Sequence, residues 1–273
     1  MHMINSPSSR DHSEVDLGPA AGVSDRGLRH HRNEDAMALA AEQSPNGPMV
    51  VAVVCDGVSS SARPDEASLA AVQAALPVLV AAVQAGGDLD EASRAAVMAA
   101  RQAIAALAEP VGDTSATTFV SVVASGYEVT LCWLGDSRAY WLAQPPAESR
   151  QLTQDDSVAG GMVAAGLADQ AAALASPHAH VLTRWLSGDH ADGPDHDPHV
   201  ERYTPPAAGA LLVCSDGLWN YLPEAADLAA LALPKALDDP LGAAVDMVKF
   251  AVDAGGADNI TAVLIPYHGP ETA

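Results

Sequence analysis

The amino-acid sequence predicts an α+β fold in which antiparallel β-sheets are covered by helices. Short apolar runs rich in valine and leucine are grouped along the chain. Ser125-Gly126 separates two of them like a tight hairpin turn, which indicates antiparallel pairing. Two long segments with helical spacing of apolar residues follow each other directly. Strands grouped with strands, and helices with helices, favour this class over a parallel sheet built from alternating strands and helices.

The predicted strands are short apolar runs whose length and branched side chains suit a β-sheet. They are Met49–Cys55, Thr117–Ala124, Glu128–Leu134, Arg138–Ala143, Ala210–Cys214 and Asn259–Pro266. Gly135-Asp136 separates the third of these runs from the fourth, so we expect a second tight hairpin at that point.

Three helices are predicted from apolar residues that recur at steps of three and four. They cover about Leu69–Val83, Val97–Leu107 and Leu241–Val252. Pro77 should kink or break the first of them, because proline removes a helical hydrogen bond. Each helix has one apolar stripe and should therefore pack against a sheet. The segment 160–198 has few strand signals and is expected to be a helical or mobile insertion.

The composition describes a globular and strongly acidic chain. Among 273 residues, 35 are aspartate or glutamate and 13 are lysine or arginine, which gives a formal net charge of −22, while 49% are hydrophobic. This charge argues against a nucleic-acid groove and against anionic membranes, since both attract clustered lysine and arginine. It favours divalent cations, which bind carboxylate oxygens. A solvated acidic surface is the simpler explanation of the charge taken alone.

Sequence features that bear on location favour the cytoplasm. Ala67–Ala85 comes closest to a membrane-spanning stretch but contains Pro77 and two glutamines, and no signal-peptide pattern is visible at the N-terminus. The cysteines, Cys55, Cys132 and Cys214, are far apart and match no zinc-binding spacing. We therefore expect reduced, buried thiols in a cytoplasmic protein with no membrane or nucleic-acid partner.

Five aspartates stand at related places, at or near the ends of apolar runs. They are Asp35, Asp56, Asp136, Asp216 and Asp258. Carboxylates at the ends of core strands can gather at one edge of a sheet, where they would repel one another unless a cation neutralised them. Magnesium or manganese is the natural partner of such oxygen ligands. Each aspartate taken alone could equally be a turn residue, because Asp-Gly is a common turn signal.

A group of histidines and aspartates between Asp189 and His199 leaves two explanations open. Histidine-rich tracts can bind a transition metal. An exposed polar loop is the commoner meaning of such a composition, because connecting segments run over the protein surface.

Seven short motifs occur together in a fixed order and give these aspartates a meaning. The motifs are Ser24-Asp25-Arg26-Gly27 leading to Asn33-Glu34-Asp35, Cys55-Asp56-Gly57, Thr117-Thr118, Gly135-Asp136-Ser137-Arg138-Ala139-Tyr140, Leu152-Thr153-Gln154-Asp155-Asp156-Ser157, Ser215-Asp216-Gly217-Leu218-Trp219 and Asp258-Asn259-Ile260-Thr261. Through them the chain, from about Gly22 to Pro266, resembles the metal-dependent protein serine/threonine phosphatases of type 2C (the PPM family), particularly the bacterial ones.

The resemblance implies a four-layer α-β-β-α sandwich, in which two antiparallel sheets are flanked by helices. It implies a single phosphatase catalytic domain over residues 20–268. A flexible N-terminal leader at 1–19 would precede this domain, and a short C-terminal tail at 269–273 would follow it. A flap insertion at about 157–185 is expected beside the active-site cleft.

The resemblance also implies which residues carry the catalytic step. Asp56 would be the ligand shared by two Mg²⁺ or Mn²⁺ ions, and the carbonyl of Gly57 would also contact metal. Asp216 and Asp258 would complete the other metal site. Asp35 would bind a metal directly or support a residue that does.

Two further acidic residues have less direct implied roles. Glu34 would act through metal-bound water, and Asp136 would hold a possible third, weaker metal. The implied activity is hydrolysis of phosphoserine and phosphothreonine in proteins by direct attack of a metal-bridged water, since such a water loses its proton near neutral pH. The implied partners are phosphorylated proteins in the pathway of a cognate serine/threonine kinase.

Three departures from the family pattern bear on the activity. His30 stands where the family often has a phosphate-binding arginine, so His30, Arg29 and Arg32 are the candidate phosphate contacts. Val58 and Asp156 replace histidines that occur in family members. A catalytically weak pseudophosphatase that acts as a regulatory binding module is therefore the main alternative. A hydrolase of small phosphate esters is a further one.

Overall fold

A computed structural model of the chain describes residues 2–4, 11–107, 114–188 and 197–269. These residues form fourteen strands and seven α-helices. The strands are β1 (His2–Ile4), β2 (His12–Asp16), β3 (Ala21–Asp25), β4 (Asp35–Ser44), β5 (Gly47–Asp56), β6 (Ala116–Thr117), β7 (Phe119–Ala124), β8 (Val129–Leu134), β9 (Arg138–Ala143), β10 (Arg150–Gln151), β11 (Leu186–Ser187), β12 (His199–Tyr203), β13 (Gly209–Cys214) and β14 (Ile260–Tyr267). The helices are α1 (Pro64–Ala85), α2 (Leu89–Ala105), α3 (Val158–Ala164), α4 (Gln170–Leu174), α5 (Asp216–Trp219), α6 (Ala225–Ala236) and α7 (Pro240–Asp253).

Two six-stranded antiparallel sheets form the centre of the fold. The strand order of the first sheet is β1-β4-β5-β7-β8-β12, and that of the second sheet is β10-β9-β13-β14-β3-β2. The short strands β6 and β11 pair with each other. Helices α1 and α2 cover the outer face of the first sheet, and α6 and α7 cover that of the second sheet. The predicted α-β-β-α sandwich is therefore confirmed.

The alternation of side chains along a strand explains why the central strands are apolar throughout. In β5, Val53 packs against the layer of α1 and α2, whereas Val54 packs between the two sheets. In β13, Leu212 packs against the layer of α6 and α7, whereas Leu211 packs between the sheets. Because both faces of each sheet are covered, neither face of these strands can be polar.

One of the two predicted hairpins is present and the other is not. Ser125-Gly126 joins β7 to β8, which pair antiparallel as expected. The hairpin predicted at Gly135-Asp136 is wrong, because β8 belongs to the first sheet and β9 to the second. Gly135 turns the chain with a φ of 101°. A turn signal in the sequence does not tell whether the strands on either side pair or, as here, lie in different sheets.

Pro77 does not break α1, contrary to the sequence prediction. The helix runs from Pro64 to Ala85 with Pro77 on its exposed side, while Leu76 and Leu79 are buried against the first sheet. Burial of this apolar stripe outweighs the lost hydrogen bond. By length and mean hydropathy (1.7) α1 could also cross a membrane, but half of its most apolar stretch is buried within the fold. We therefore interpret α1 as a core helix of the sandwich.

The prediction of a flexible leader at 1–19 is wrong for strands β1 and β2. Strand β1 pairs with β4, and β2 pairs with β3. In β2, Ser13 and Val15 are buried while the residues between and beside them are exposed. An edge strand with one polar face has the composition of a loop, which hid it from the sequence analysis. Residues 1 and 5–10, most of the His/Asp group (189–196) and the tail residues 270–273 lie outside the described residues.

The flap, which is our name for residues 157–185, is mainly helical in its first part. It contains α3 and α4, in agreement with the helical insertion expected there. Ala159, Ala173 and Ala179 form a small apolar cluster within it. The Ser157 hydroxyl accepts a hydrogen bond of 3.1 Å from the backbone N–H of Gly160 and thereby caps α3. The flap therefore has a small apolar core of its own beside the sandwich.

Candidate active site

The antiparallel strand order brings the ends of several strands to one edge of the sandwich. Asp35 begins β4 and stands opposite Asp56 at the end of β5. Asp136 lies shortly before β9, Asp216 follows β13 and Asp258 lies shortly before β14. Since one strand of an antiparallel pair begins where the other ends, these positions meet. Asp35 and Asp56 thus come from the first sheet, and Asp216 and Asp258 come from the second.

A cleft of about 470 Å³ opens at this edge. Four of the five aspartates line it, and its rims are the segment 57–60 on one side and the end of the flap on the other. A larger cavity, of about 1020 Å³, lies at the opposite edge and is lined by residues such as Met49, Tyr127 and Tyr267. The larger cavity contains none of the five aspartates. The candidate site is therefore the smaller cleft.

Asp35 is held by two hydroxyl groups that come from the second sheet. Ser215 Oγ and Thr261 Oγ1 each donate a hydrogen bond of 2.7 Å to Asp35 Oδ2. Asp35 Oδ1 is fully buried and has no hydrogen-bond partner among the described residues. A buried oxygen without a donor is costly. One carboxylate oxygen is thus fixed, and the other remains available to a cation.

The backbone of Asp56 is held by two threonines, one at the end of β6 and one between β6 and β7. Thr117 Oγ1 donates to the Asp56 carbonyl at 2.8 Å, and the Asp56 N–H donates to Thr118 Oγ1 at 3.0 Å. The next residue, Gly57, donates its N–H to the Glu34 carbonyl at 3.1 Å. These bonds fix the end of β5 on both sides, so that Asp56 is positioned without using its carboxylate.

Gly217 allows a close approach of two loops that carry aspartates. A Cβ atom at this position would lie 1.9 Å from the carbonyl oxygen of Asn259. Only glycine therefore permits α5 to begin against the loop before β14. This contact explains why Asp216 and Asp258, which are neighbours of Gly217 and Asn259 in the sequence, stand together in the cleft.

Burial and mutual repulsion raise the pKa values of the clustered carboxyl groups. Burial raises the pKa of Asp35 to about 7, against the opposing effect of its hydrogen bonds from Ser215 and Thr261. Burial, followed by the charge of Asp258, raises the pKa of Asp216 to about 7. Burial also raises the pKa of Asp56 well above its ordinary value, and neighbouring aspartates add to the shift. A site of this kind is stabilised by positive charge.

The residues present fit a pair of hard divalent cations. The ligand set offered by the strand ends is made of carboxylate oxygens, which Mg²⁺ and Mn²⁺ prefer. Asp35 Oδ1 and Asp216 Oδ1 are both fully buried without a hydrogen-bond partner among the described residues. Cations at this edge would satisfy both oxygens and remove the repulsion between the carboxylates.

Without metal, the protein is expected to lose stability as the pH rises from about 4 to about 7. The pKa values of Asp35 and Asp216 are raised to about 7 from an ordinary value of 3.8, so folding favours their protonated forms. Their contribution to stability is complete below the unfolded pKa and is lost as the pH rises through the folded pKa. Thermal unfolding in EDTA over this pH range measures the effect. Saturating Mg²⁺ should remove or reverse the decline, because metal binding needs deprotonated ligands. An equally steep decline with Mg²⁺ present would contradict this explanation.

Comparison with known proteins places this geometry in a family. The sequence profile described as protein phosphatase 2C matches residues 26–237. The chain belongs to the protein phosphatase 2C family.

Similar members of the family are bacterial phosphatases. The serine/threonine phosphatase stp of Listeria innocua is 32% identical over 151 residues, which cover 55% of this chain and 56% of the Listeria protein. PstP of Mycobacterium tuberculosis is 30% identical over 148 residues, which cover 54% of this chain and 27% of PstP. The alignments thus span about half or less of these curated relatives.

Solved structures of PstP have the same fold. The crystal structure of the Mycobacterium tuberculosis phosphatase PstP/Ppp superposes with a TM-score of 0.72 at 28% identity, covering 91% of this chain and 98% of PstP/Ppp. The catalytic domain of PstP in complex with two manganese ions superposes with a TM-score of 0.71 at 27% identity, covering 91% of this chain and 97% of that domain.

In this phosphatase 2C protein, Glu34 lies at the margin of the cleft and is held by its neighbours. Ser59 Oγ donates to Glu34 Oε2 at 2.6 Å, and Arg32 Nε donates to Glu34 Oε1 at 3.4 Å. Ser68 Oγ donates to the Glu34 carbonyl at 2.6 Å. Its carboxylate therefore already has protein partners, unlike Asp35 Oδ1.

The candidate phosphate contacts lie in the loop between β3 and β4. His30 Nε2 lies 3.1 Å from Asp258 Oδ1. Arg32 Nη1 lies 3.3 Å from Asp65 Oδ1, and Arg29 is exposed. The structure thus brings His30 to an aspartate of the site and Arg32 to its margin, whereas Arg29 lies on the surface.

Asp156, which replaces a histidine of the phosphatase 2C pattern, is a residue of the flap base. Its Oδ2 accepts a hydrogen bond of 3.1 Å from the Gly135 N–H, and its Oδ1 lies 3.0 Å from His199 Nε2. The His199 ring stacks on Trp133 with ring centroids 4.7 Å apart. Asp156 therefore connects the start of the flap to β12 and to Gly135, where the chain passes from the first sheet to the second.

A buried ion pair that the sequence analysis did not identify lies behind the cleft. Arg138 donates two hydrogen bonds to Asp155, of 2.9 and 2.7 Å, and a third of 2.8 Å to the Tyr140 hydroxyl. Its guanidinium carbon lies 3.5 Å from the centre of the Trp219 ring. The Trp219 indole N–H in turn donates to the Asp136 carbonyl at 3.0 Å. This network packs directly behind Asp136 and the helix that carries Asp216.

The sequence analysis also missed the hydroxyl groups that position Asp35. Ser215 and Thr261 both belong to the motifs that carry the resemblance, but their roles depend on contacts with a residue that lies 180 and 226 positions away in the sequence. One signal was available in the sequence: each residue carries a hydroxyl group and lies next to a predicted core strand or within one. A buried hydroxyl group at such a place needs a hydrogen-bond partner.

Proposed function

We propose that this phosphatase 2C protein is a metal-dependent enzyme that hydrolyses phosphoserine and phosphothreonine in proteins. The observation that carries the proposal is the cleft at one sandwich edge. There, two buried aspartate oxygens, Asp35 Oδ1 and Asp216 Oδ1, have no hydrogen-bond partner among the described residues. Membership of the family and the likeness to PstP, one of whose structures holds two manganese ions, support it.

In the proposed site, two Mg²⁺ or Mn²⁺ ions are held mainly by strand-end aspartates. Asp56 is the shared ligand, with the Gly57 carbonyl beside it. Asp216 and Asp258 complete the other metal site. Asp35, on the neighbouring strand β4, binds a metal directly or supports a residue that does. This assignment is supported by the register that sets Asp35 against Asp56 and by the shared cleft that Asp56, Asp216 and Asp258 line.

Two more residues have proposed roles at the rim of the cleft. Glu34 acts on a cation through water, and Asp136 holds a third, weaker metal. The support for Asp136 is its burial within reach of Asp216, whose charge contributes to raising the Asp136 pKa after burial itself. The support for Glu34 is its backbone bond to Gly57.

The chain's own residues set the charge and geometry of the proposed reaction. When bound, the cation pair would neutralise the phosphate oxygens and make water between the ions more acidic. Without cations, the aspartates of the cleft would repel a dianionic phosphate. The hydroxyls of Ser215 and Thr261 hold Asp35 in place, and His30 is the nearest candidate for an additional phosphate contact. Protein groups thus orient the site before a substrate arrives.

The proposed setting is a cytoplasmic signalling pathway. We propose that the substrates are phosphoproteins modified by a cognate serine/threonine kinase, with no nucleic-acid or membrane partner. Three buried cysteines without disulfides support a reducing compartment. The net charge of −22 supports the exclusion of anionic partners.

Hydrolysis of a phosphothreonine peptide should require Mn²⁺ or Mg²⁺ and should stop in EDTA. A phosphotyrosine peptide and p-nitrophenyl phosphate, compared by kcat/KM, separate a protein serine/threonine phosphatase from a general hydrolase of phosphate esters. Higher kcat/KM for the small ester would favour the latter. Full activity in EDTA would contradict the proposed metal chemistry.

One observation favours a catalytically weak pseudophosphatase as the second candidate function. His30 Nε2 lies 3.1 Å from Asp258 Oδ1, so an imidazole stands against an oxygen that the proposed metal would use. In that case the fold would bind phosphoproteins or metals as a regulatory module. Metal binding without turnover of any phosphopeptide would favour this function.

A further inference from the structure

A histidine of the flap lies beside two aspartates of the cleft. One donor atom from each of His180, Asp136 and Asp216 lies within 4.8 Å of the other two. His180 belongs to the last part of the flap, whereas the two aspartates belong to the sandwich. The flap and the sandwich therefore supply one ligand cluster together.

The backbone on both sides of His180 is held in place. The Ala159 N–H donates to the Ala179 carbonyl at 3.1 Å, and the Val158 N–H donates to the Val181 carbonyl at 2.9 Å. Asp156, just before these residues, donates its N–H to the Gly135 carbonyl at 2.9 Å. The turn that carries His180 is thus tied, through the start of the flap, to the residue that precedes Asp136.

The Trp219 ring forms a wall behind the same cluster. The rings of His180 and Trp219 have centroids 5.8 Å apart and an interplanar angle of 31°. The Trp219 indole N–H donates to the Asp136 carbonyl at 3.0 Å. Trp219 therefore touches both the imidazole and the loop that carries Asp136, and it restricts where each can move.

Asp216 has a carboxylate oxygen that the protein does not satisfy, and the Asp136 side chain beside it is buried. Asp136 is only 5% exposed. Asp216 Oδ1 is fully buried without a hydrogen-bond partner in that same part of the chain. Unpaired buried carboxylates of this kind need a cation or a proton. This observation is independent of the spacing of the three donors.

We propose that His180 is a ligand of a third metal, together with Asp136 and Asp216, and that it makes this position selective for Mn²⁺ or Zn²⁺ over Mg²⁺. Imidazole nitrogen is a good ligand for zinc and other transition metals, whereas Mg²⁺ prefers oxygen. A metal held in this way connects the end of the flap to the cleft. The inference rests on the proposed metal centre, because Asp216 serves both.

Calorimetric titration of the full chain with Mn²⁺, Zn²⁺ and Mg²⁺ tests the proposal without using activity. We expect three Mn²⁺ ions per chain, of which the weakest is bound at least about tenfold more weakly in His180→Ala, while the first two are unchanged. The third-site affinity for Mg²⁺ should be the same in both proteins. His178→Ala, an exposed histidine two residues away, is the matched control and should bind like the wild type.

Hydrogen exchange provides a second readout, because Mn²⁺ should slow exchange of the amides at 179–183 in the wild type but not in His180→Ala. A wild type that binds only two Mn²⁺ ions, or a third-site Mn²⁺ affinity in His180→Ala within about twofold of the wild type, would overturn the proposal. A wild type that does not bind Mn²⁺ at the first two sites would instead contradict the proposed function. Failure of the inference about His180 can therefore be distinguished from failure of the proposed function.

Discussion

Replacing Asp56 with asparagine is expected to reduce phosphothreonine hydrolysis by about a thousandfold or more and to make the metal-free protein more stable. Asp56 is positioned through its backbone by Thr117 and Thr118, so the substitution should leave the local structure intact. Its carboxyl pKa is raised well above the ordinary value by burial and by neighbouring aspartates. Removing this charge therefore relieves repulsion in the absence of metal, while it removes the proposed shared ligand.

The two effects of Asp56→Asn are measured separately. Steady-state rates with Mn²⁺ give the loss of activity, and thermal unfolding in EDTA gives the gain in stability, for which we expect about 1–2 kcal/mol, or several degrees. Asp238→Asn, at an exposed turn after α6, is the matched control and should change neither quantity. Retained activity, or a metal-free protein that melts at a lower temperature, would contradict the role assigned to Asp56.

Replacing Arg138 with methionine is expected to cost about 3–5 kcal/mol of folding stability. Both side chains of the Arg138–Asp155 pair are nearly inaccessible, at 3% and 6% exposure. The substitution leaves Asp155 as a buried carboxylate without its two strongest donors, and it removes the hydrogen bond to Tyr140. The penalty arises from the uncompensated charge that remains.

Urea denaturation of three variants tests this explanation. The double replacement Arg138→Met with Asp155→Leu should recover much of the lost stability, because no buried charge is left. Arg202→Met removes an exposed arginine that pairs with Asp90 and Glu128, and it should cost less than about 1 kcal/mol. A cost for Arg138→Met no larger than that for Arg202→Met would show that the buried pair contributes little.

The central sheets could be predicted because their sequences are simple. Strands β5 and β13 are apolar on both faces, since helices cover one face and the other sheet covers the second. Strands β2 and β12 could not be identified from composition, because each is an edge strand with exposed polar residues. The course of the chain at Gly135-Asp136 could not be predicted either, because the same turn residues occur in hairpins and in connections between two sheets.

The candidate site was predictable to the extent that it depends on strand ends. Aspartates directly before or after an apolar run must lie at a sheet edge, and the antiparallel order determines that it is the same edge. The hydroxyls of Ser215 and Thr261 and the imidazole of His180 were not predictable in this way. Their contacts join residues that are far apart in the sequence, so they depend on how the layers pack.

The division of the aspartates between the sheets has a consequence for the order of assembly. Asp35 and Asp56 belong to the first sheet, and Asp216 and Asp258 belong to the second. Neither sheet alone carries a complete ligand set, so a folding intermediate that contains only one sheet cannot bind the cations tightly. The cations should therefore bind tightly only once the two sheets have docked, and should slow unfolding more than they speed folding.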